Sequence, residues 1–125
     1  MKFYEWVNLF ETKTGEKFYI PPGYELYFDE DKGFMVWKND NGIFRVDQTS
    51  TSDYLHMVDF AFNKANELGC ETGETRTRRN AKAFAKLFNA EVVLEGYDLE
   101  TGIPTSIIRW KIDDYSSFKG RGFID

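Results

Sequence analysis

The sequence predicts a mixed α/β fold, an α+β mixed sheet with helices packed on its faces. Three observations predict it. From Tyr24 to Gln48 three strand-like runs are separated by short turns, the first with the two-residue period of a half-buried strand and the second rich in aromatic and branched residues, which makes an antiparallel meander. From Tyr54 to Leu68 the apolar positions recur every three or four residues instead, the period of an amphipathic helix. A strand follows Cys70, and a strand–helix–strand passage implies a right-handed crossover and one parallel pair.

The elements follow in order. Lys2 to Thr14 reads as a short amphipathic helix, with Phe3, Trp6 or Val7, and Phe10 on one side and Gly15 as its stop. Pro21-Pro22-Gly23 is a link no helix crosses. In the first strand Tyr24, Leu26 and Phe28 face one way and Glu25, Tyr27 and Asp29 the other. Phe34 to Lys38 is the second strand, Asn39-Asp40-Asn41-Gly42 a tight hairpin turn, and Ile43 to Gln48 the third strand. Ser50-Thr51-Ser52-Asp53 supplies N-cap residues for the central helix, and Gly69 ends it. Cys70 to Thr77 is a strand, Asn80 to Asn89 a short helix with Ala83, Phe84, Leu87 and Phe88 inward, and Glu91 to Tyr97 a strand. Thr105 to Ile112 closes the order, with Ile108, Trp110 and Ile112 on one face. We expect one domain over residues 1–112, with helix 2–14 and core 24–112, followed by a loose tail at 113–125.

Composition excludes several classes. The 125 residues are 42% hydrophobic and 18% aromatic, enough to fill a core and unlike a disordered chain. The net charge of −5 is opposite in sign to that of a protein gripping a nucleic acid backbone. One Cys and one His make neither an internal disulfide nor a structural zinc site, so no metal is expected. The apolar runs are too short for a membrane span, and Met1 to Trp6 lacks the apolar stretch of a secretory leader. A cytoplasmic setting is expected.

Several residues carry candidate chemistry. Arg76, Arg78, Arg79, Lys82 and Lys86 form a basic run with no acid between them. It is read as a contact for cofactor phosphates, a patch for nucleic acid or an acidic protein, or a solvated face. Glu25, Asp47 and Glu74 are carboxylates on strands that can serve as a general base, and Asp47 is preferred. His56 is read as a surface or capping group, and Cys70 as a buried inert thiol. Tyr27 and Trp37 belong to the core or to an exposed aromatic patch for a partner.

Tyr24 to Ile112 resembles the core of the GNAT superfamily of N-acetyltransferases. Thr77-Arg78-Arg79-Asn80-Ala81-Lys82-Ala83 is similar to the Asn-x-x-Ala segment that opens that family's second core helix, and is closer still to short acetyltransferase-like proteins of bacteriophages. Asn66 to Cys70 looks like the end of the family's central helix. The resemblance implies acetyl-CoA as cofactor, bound by Gln48, Thr49, Ser50, Thr51 and Ser52 together with Arg78, Arg79 and Asn80. It also implies Asp47 as the group that deprotonates a primary amine, with no covalent intermediate. Two departures stand out. The family loop is Gln/Arg-x-x-Gly-x-Gly/Ala, whose glycines let backbone N–H groups approach a pyrophosphate at a helix N-terminus; here neither glycine is present and Asp53 adds a negative charge. Leu87 stands where many members have a proton-donating Tyr. Two functions therefore compete: an acyl-CoA-dependent N-acetyltransferase on a primary amine, and a catalytically inactive phage or bacterial scaffold that binds a host or virion protein, in the host cytoplasm if phage-encoded.

Overall fold

In a computed structural model, the structure describes residues 1–77, 82, 85, 86, 90–97, 99, 102 and 104–112. The Asn39–Gly42 turn holds because Asn41 and Gly42 take positive φ (51° and 90°), as a two-residue hairpin of matching twist needs. It joins β2 (Gly33–Asp40) to β3 (Ile43–Thr51). β1 (Glu25–Asp29) pairs antiparallel with β2. Helix α1 (Phe3–Thr14) precedes them and stops at Gly15, whose φ of 74° is the left-handed conformation of a helix end. After β3 come α2 (Tyr54–Glu67), β4 (Thr72–Thr77), β5 (Glu91–Tyr97) and β6 (Pro104–Lys111). The strand order is β1-β2-β3-β4-β6-β5. β3 and β4 are parallel and every other pairing is antiparallel. The mixed sheet with one crossover is the one expected from the sequence.

The sheet has a core on each face. Trp6 and Phe10 of α1 pack with Phe34 and Val36 of β2. On the opposite face Met57, Val58, Ala61, Phe62 and Ala65 of α2 pack with Met35, Trp37, Phe44, Val46, Ile108 and Trp110. β2 therefore faces a helix on both sides, and Gly33 to Trp37 are all buried, which is why its sequence is a near-continuous apolar run. Around α1, Phe3, Phe10, Phe18 and Phe28 meet one another or Phe34 at ring separations of 5.1–5.8 Å. Such tilted and edge-on pairs add about 0.5–1.5 kcal/mol each beyond burial.

Of the two places the sequence allows Tyr27 and Trp37, both take the core. Trp37 is buried, while Tyr27 stacks on Phe60 at 3.9 Å and its hydroxyl lies 2.7 Å from His56 Nε2. His56 thus anchors α2 to β1, and it caps nothing with its ring. β3 also runs three residues beyond Gln48, to Thr51. The Asn80–Asn89 helix falls largely outside the described residues; Lys82, Ala85 and Lys86 are helical, and Ala85 is buried in the α2-side core. Residues 113–125 lie outside the described residues. Among the described residues, no helix is long and apolar enough to cross a membrane.

Phe34 is fully buried and receives three phenylalanine rings. Phe34→Ala is expected to cost about 3–5 kcal/mol of stability, read from urea unfolding. Gly33 has φ 122°, and a Cβ there would sit 1.9 Å from the Ser50 carbonyl oxygen. Gly33→Ala is accordingly expected to destabilise by more than about 1 kcal/mol, against the stabilisation a relaxed Gly→Ala change gives.

Candidate functional site: the cleft between β3 and β4

Burial along β3 alternates without a break, but the backbone does not. Val46 pairs with Trp37 and Gln48 with Val36, leaving Asp47 as the extra residue of a β-bulge. The bulge exchanges the faces of the strand. Phe44 and Val46 pack toward α2. Beyond Asp47 it is Gln48 and Ser50 that turn to the α1 side, where Ser50 Oγ donates to Trp6 O at 3.2 Å. Parallel pairing with β4 ends at the same place, at Val46–Thr75, although β3 continues to Thr51 and β4 to Thr77. Thr75 Oγ1 donates to the Val46 carbonyl at 3.1 Å and finishes the ladder. The two strands thereafter diverge.

The divergence opens a cavity of about 610 Å³. Met57, Val58, Ala61 and Phe62 of α2 form its apolar wall, with Val46 and Trp110. Trp110 can lie across β4 because its neighbour there is Gly73: a Cβ on that residue would meet the indole at 2.4 Å. Thr49, Ser50, Thr51, Ser52, Thr75 and Thr77 also line the cavity. Asp47, Arg76 and Glu16 lie at the end toward α1.

At that end one guanidinium joins two carboxylates. Arg76 Nε donates to Asp47 Oδ1 at 2.9 Å, and Nη1 and Nη2 donate to the two oxygens of Glu16 at 2.6 and 3.0 Å. Burial works against the charge on Arg76, but the hydrogen bonds to Glu16 and Asp47 outweigh it and raise its pKa. Gln48 supports the same group: its amide nitrogen donates to Glu16 and to Lys17 O, and its oxygen accepts from Tyr19 N. Tyr24 borders the cluster, its hydroxyl pKa raised by burial and then by the charge of Asp47. Beside it Glu74, buried, sits between Arg45 at 2.8 Å and Arg109 at 3.0 Å.

At the other end the loop into α2 is stitched to itself. Asp53 is the N-cap: its carboxylate accepts from His56 N at 3.1 Å and pairs with Lys32 Nζ at 2.8 Å. Thr51 Oγ1 donates to Lys32 O and accepts from Asp53 N. Ser52 N also donates to Lys32 O. The lysine side chain, followed by the His56 N–H, lowers the pKa of Asp53.

The structure thus brings Asp47, Thr49, Ser50, Thr51 and Ser52 together around one cavity. It places Gln48 on the α1 side, where its amide braces Glu16 and the residues after α1. Arg78, Arg79, Asn80 and Leu87 lie outside the described residues. Arg76 is drawn out of the basic run into the cleft, and Glu16, its partner, carried no local signal: they are separated by 60 positions. Among the described residues no group of three or more His, Cys, Asp or Glu side chains is placed to hold a metal ion.

This strand order, with its splayed parallel pair and the helix crossing between them, is the fold of the GNAT acetyltransferases. Solved structures similar to it include FeeM, an N-acyl amino acid synthase from uncultured soil microbes (TM-score 0.68, 11% identity, 91% of this chain and 86% of that one). A protein assigned as an N-acetyltransferase from Lactobacillus plantarum matches with TM-score 0.66 and 18% identity over 86% of each chain. An aminoglycoside 6'-N-acetyltransferase solved with coenzyme A matches with TM-score 0.61 and 10% identity, over 86% of this chain and 89% of that one. No protein-family model matches the chain, and no curated protein matches it by sequence.

Because the folded-state pKa of Asp53 is depressed, its contribution to stability is present above the ordinary carboxylate value of 3.8 and is lost as pH falls through the lowered one. Asp53→Asn keeps a capping side chain and removes the titration. The loss of stability between pH 5 and 2, read from urea midpoints, is expected to be shallower in that variant. Gly73→Ala drives a methyl into Trp110 and is expected to cost about 1–3 kcal/mol.

Proposed function

We propose that the protein binds an acyl-CoA thioester in the β3–β4 cleft and transfers the acyl group to a primary amine. The observation that carries this reading is the divergence of β3 and β4 beyond Val46–Thr75, which opens a cavity of about 610 Å³ between a helix wall and strand backbone. Where a ladder stops, the strand edges offer N–H and C=O groups to a ligand in place of a neighbouring strand. The apolar wall from Met57 to Phe62 suits a pantetheine arm. The Thr49 to Ser52 stretch of the lining and the α2 N-terminus suit its phosphates.

The thioester, when bound, supplies an activated acyl carbon. The chain's own residues do the rest. Asp47 presents a carboxylate to the cleft at the bulge and takes the proton of an incoming ammonium. Strand N–H groups past Val46 are oriented to receive developing negative charge on an acyl oxygen. The wall of α2 excludes water from the thioester. Arg78, Arg79 and Asn80 are proposed as further phosphate contacts.

One observation favours a second reading, a non-catalytic scaffold for a protein partner. Asp53 already places a carboxylate at the α2 N-terminus, paired with Lys32, and this opposes a second anion there.

Thermal unfolding with and without acetyl-CoA separates the two. A ligand that binds the native state alone stabilises it by about 2.7 kcal/mol at a hundredfold excess over Kd, so a raised midpoint is expected. Asp53→Asn removes the opposing charge and is expected to tighten acetyl-CoA binding several-fold, more at low salt. An unchanged midpoint at millimolar acetyl-CoA would leave the scaffold reading in place.

A further inference from the structure

We propose that the amine acceptor is a free α-amino acid, its carboxylate held by Arg76 in the place Glu16 occupies and its amine delivered to Asp47. The proposal rests on the reading of the cleft as an acyl-transfer site and names that site's substrate class.

The geometry is that of a carboxylate receptor carrying an internal ligand. A guanidinium offers parallel N–H groups that match the two oxygens of a carboxylate, and such paired contacts are among the strong, orientation-specific ones. Arg76 makes this fork with Glu16, at 2.6 and 3.0 Å, inside the cavity. Glu16 belongs to no helix or strand. It lies just past Gly15, in the connection that ends at Pro21-Pro22-Gly23. Withdrawing it breaks no ladder, and its contact with Gln48 is long, at 3.3 Å.

The third donor of the same guanidinium fixes what sits next to that carboxylate. Arg76 Nε donates to Asp47 at 2.9 Å, so a carboxylate in the Glu16 position lies beside the Asp47 carboxylate. In an α-amino acid the amine is one carbon from the carboxyl group, and this places it against Asp47. Charge agrees with spacing. With Glu16 withdrawn, the paired Arg76 and Asp47 present a cation beside an anion, the complement of a zwitterion, with Lys13 a second cation on the lining. A simple amine or a polyamine carries no carboxylate to take the Glu16 place on the guanidinium.

The step balances. Asp47 takes a proton from the ammonium; the amine nitrogen attacks the thioester carbonyl carbon; the N–C bond forms and the C–S bond breaks, with its electron pair leaving on sulfur. The second amine proton goes to the thiolate or to solvent. The products are an N-acyl amino acid and a free thiol.

The test pairs each of a panel of L-amino acids with its own carboxamide, which keeps the amine and side chain and removes the carboxylate charge. Thiol release from acetyl-CoA and mass detection of the N-acyl product give kcat/KM, and calorimetry gives binding of each acceptor with and without coenzyme A. For at least one amino acid we expect a preference of tenfold or more over its amide. That preference is expected to vanish in Arg76→Lys, which keeps the charge but not the fork, and Glu16→Gln, which weakens the internal competitor, is expected to lower KM for the acid several-fold. A bracing role for Arg76 alone would lower the melting midpoint of the variant without changing the acid-to-amide ratio. Equal use of acid and amide, or a preference that survives Arg76→Lys, overturns the proposal. Binding of acetyl-CoA with no amino acid bound or acylated also overturns it and leaves the cofactor reading standing. Binding of amino acids with no affinity for acetyl-CoA sinks the acyl-transfer reading and the acceptor assignment with it.

Discussion

The end of the β3–β4 ladder at Val46–Thr75 is the constraint on which the rest of the structure depends. Strands in a sheet stay about 4.8 Å apart only while they exchange hydrogen bonds. The bulge at Asp47 coincides with the end of that exchange, and the Thr75 hydroxyl takes the carbonyl of Val46, the last β3 residue paired with β4. The cavity, the turning of Gln48 and Ser50 toward α1, and the position of Asp47 at the throat follow from this one inserted residue. Without it Asp47 would keep its place in a regular alternation, and the gap between the strands would be an ordinary sheet interior. Gly73 has a matching part on β4, giving Trp110 room to lie over the strand and line the opening.

Both polar ends of the cleft carry a carboxylate from the chain itself. Asp53 sits at the start of α2 with Lys32, and Glu16 sits on Arg76 toward α1. Each occupies a place whose chemistry suits an external anion, a helix N-terminus in one case and a guanidinium fork in the other. An internal ligand of this kind stays at high effective concentration, so an incoming anion must exceed it in differential affinity and not merely find a favourable site. Affinity at such a site is set as much by the tether of the internal group as by the receptor. Asp53 is fixed by its role as helix cap, whereas Glu16 hangs on a short irregular connection.

Elements with a strong local period were legible in the sequence. The 3.6-residue pattern of Leu55, Val58, Phe62 and Ala65 marked α2, and Asn-Gly at 41–42 marked the hairpin. The strand–helix–strand passage between them implied the parallel pair. What the sequence did not carry was anything that depends on a change of register. Phe44, Val46, Gln48 and Ser50 are buried at every second position, so a single-faced strand and a bulged strand that swaps faces look the same. Gln48 reads as a cofactor contact by its match to the family loop, whereas its amide braces Glu16 and Lys17. The Arg76–Glu16 pair was illegible for a related reason. Arg76 stands in a run of basic residues whose local pattern suggests a surface patch, and only the sheet order brings it to the end of α1. Tyr27 takes the core place of the two the sequence allows, because the face opposite Tyr24 is also covered by a helix.

β2 puts buried side chains into both cores, Phe34 and Val36 on one face and Met35 and Trp37 on the other. Two layers that share a buried central strand cannot come apart separately. Releasing α1 uncovers Phe34 and Val36 and thereby weakens the strand against which α2 rests. The molecule thus has no natural seam along which half of it opens while the other half stays closed, despite having two distinct apolar clusters. The amides of β2 are therefore expected to exchange with solvent through opening of the whole sheet.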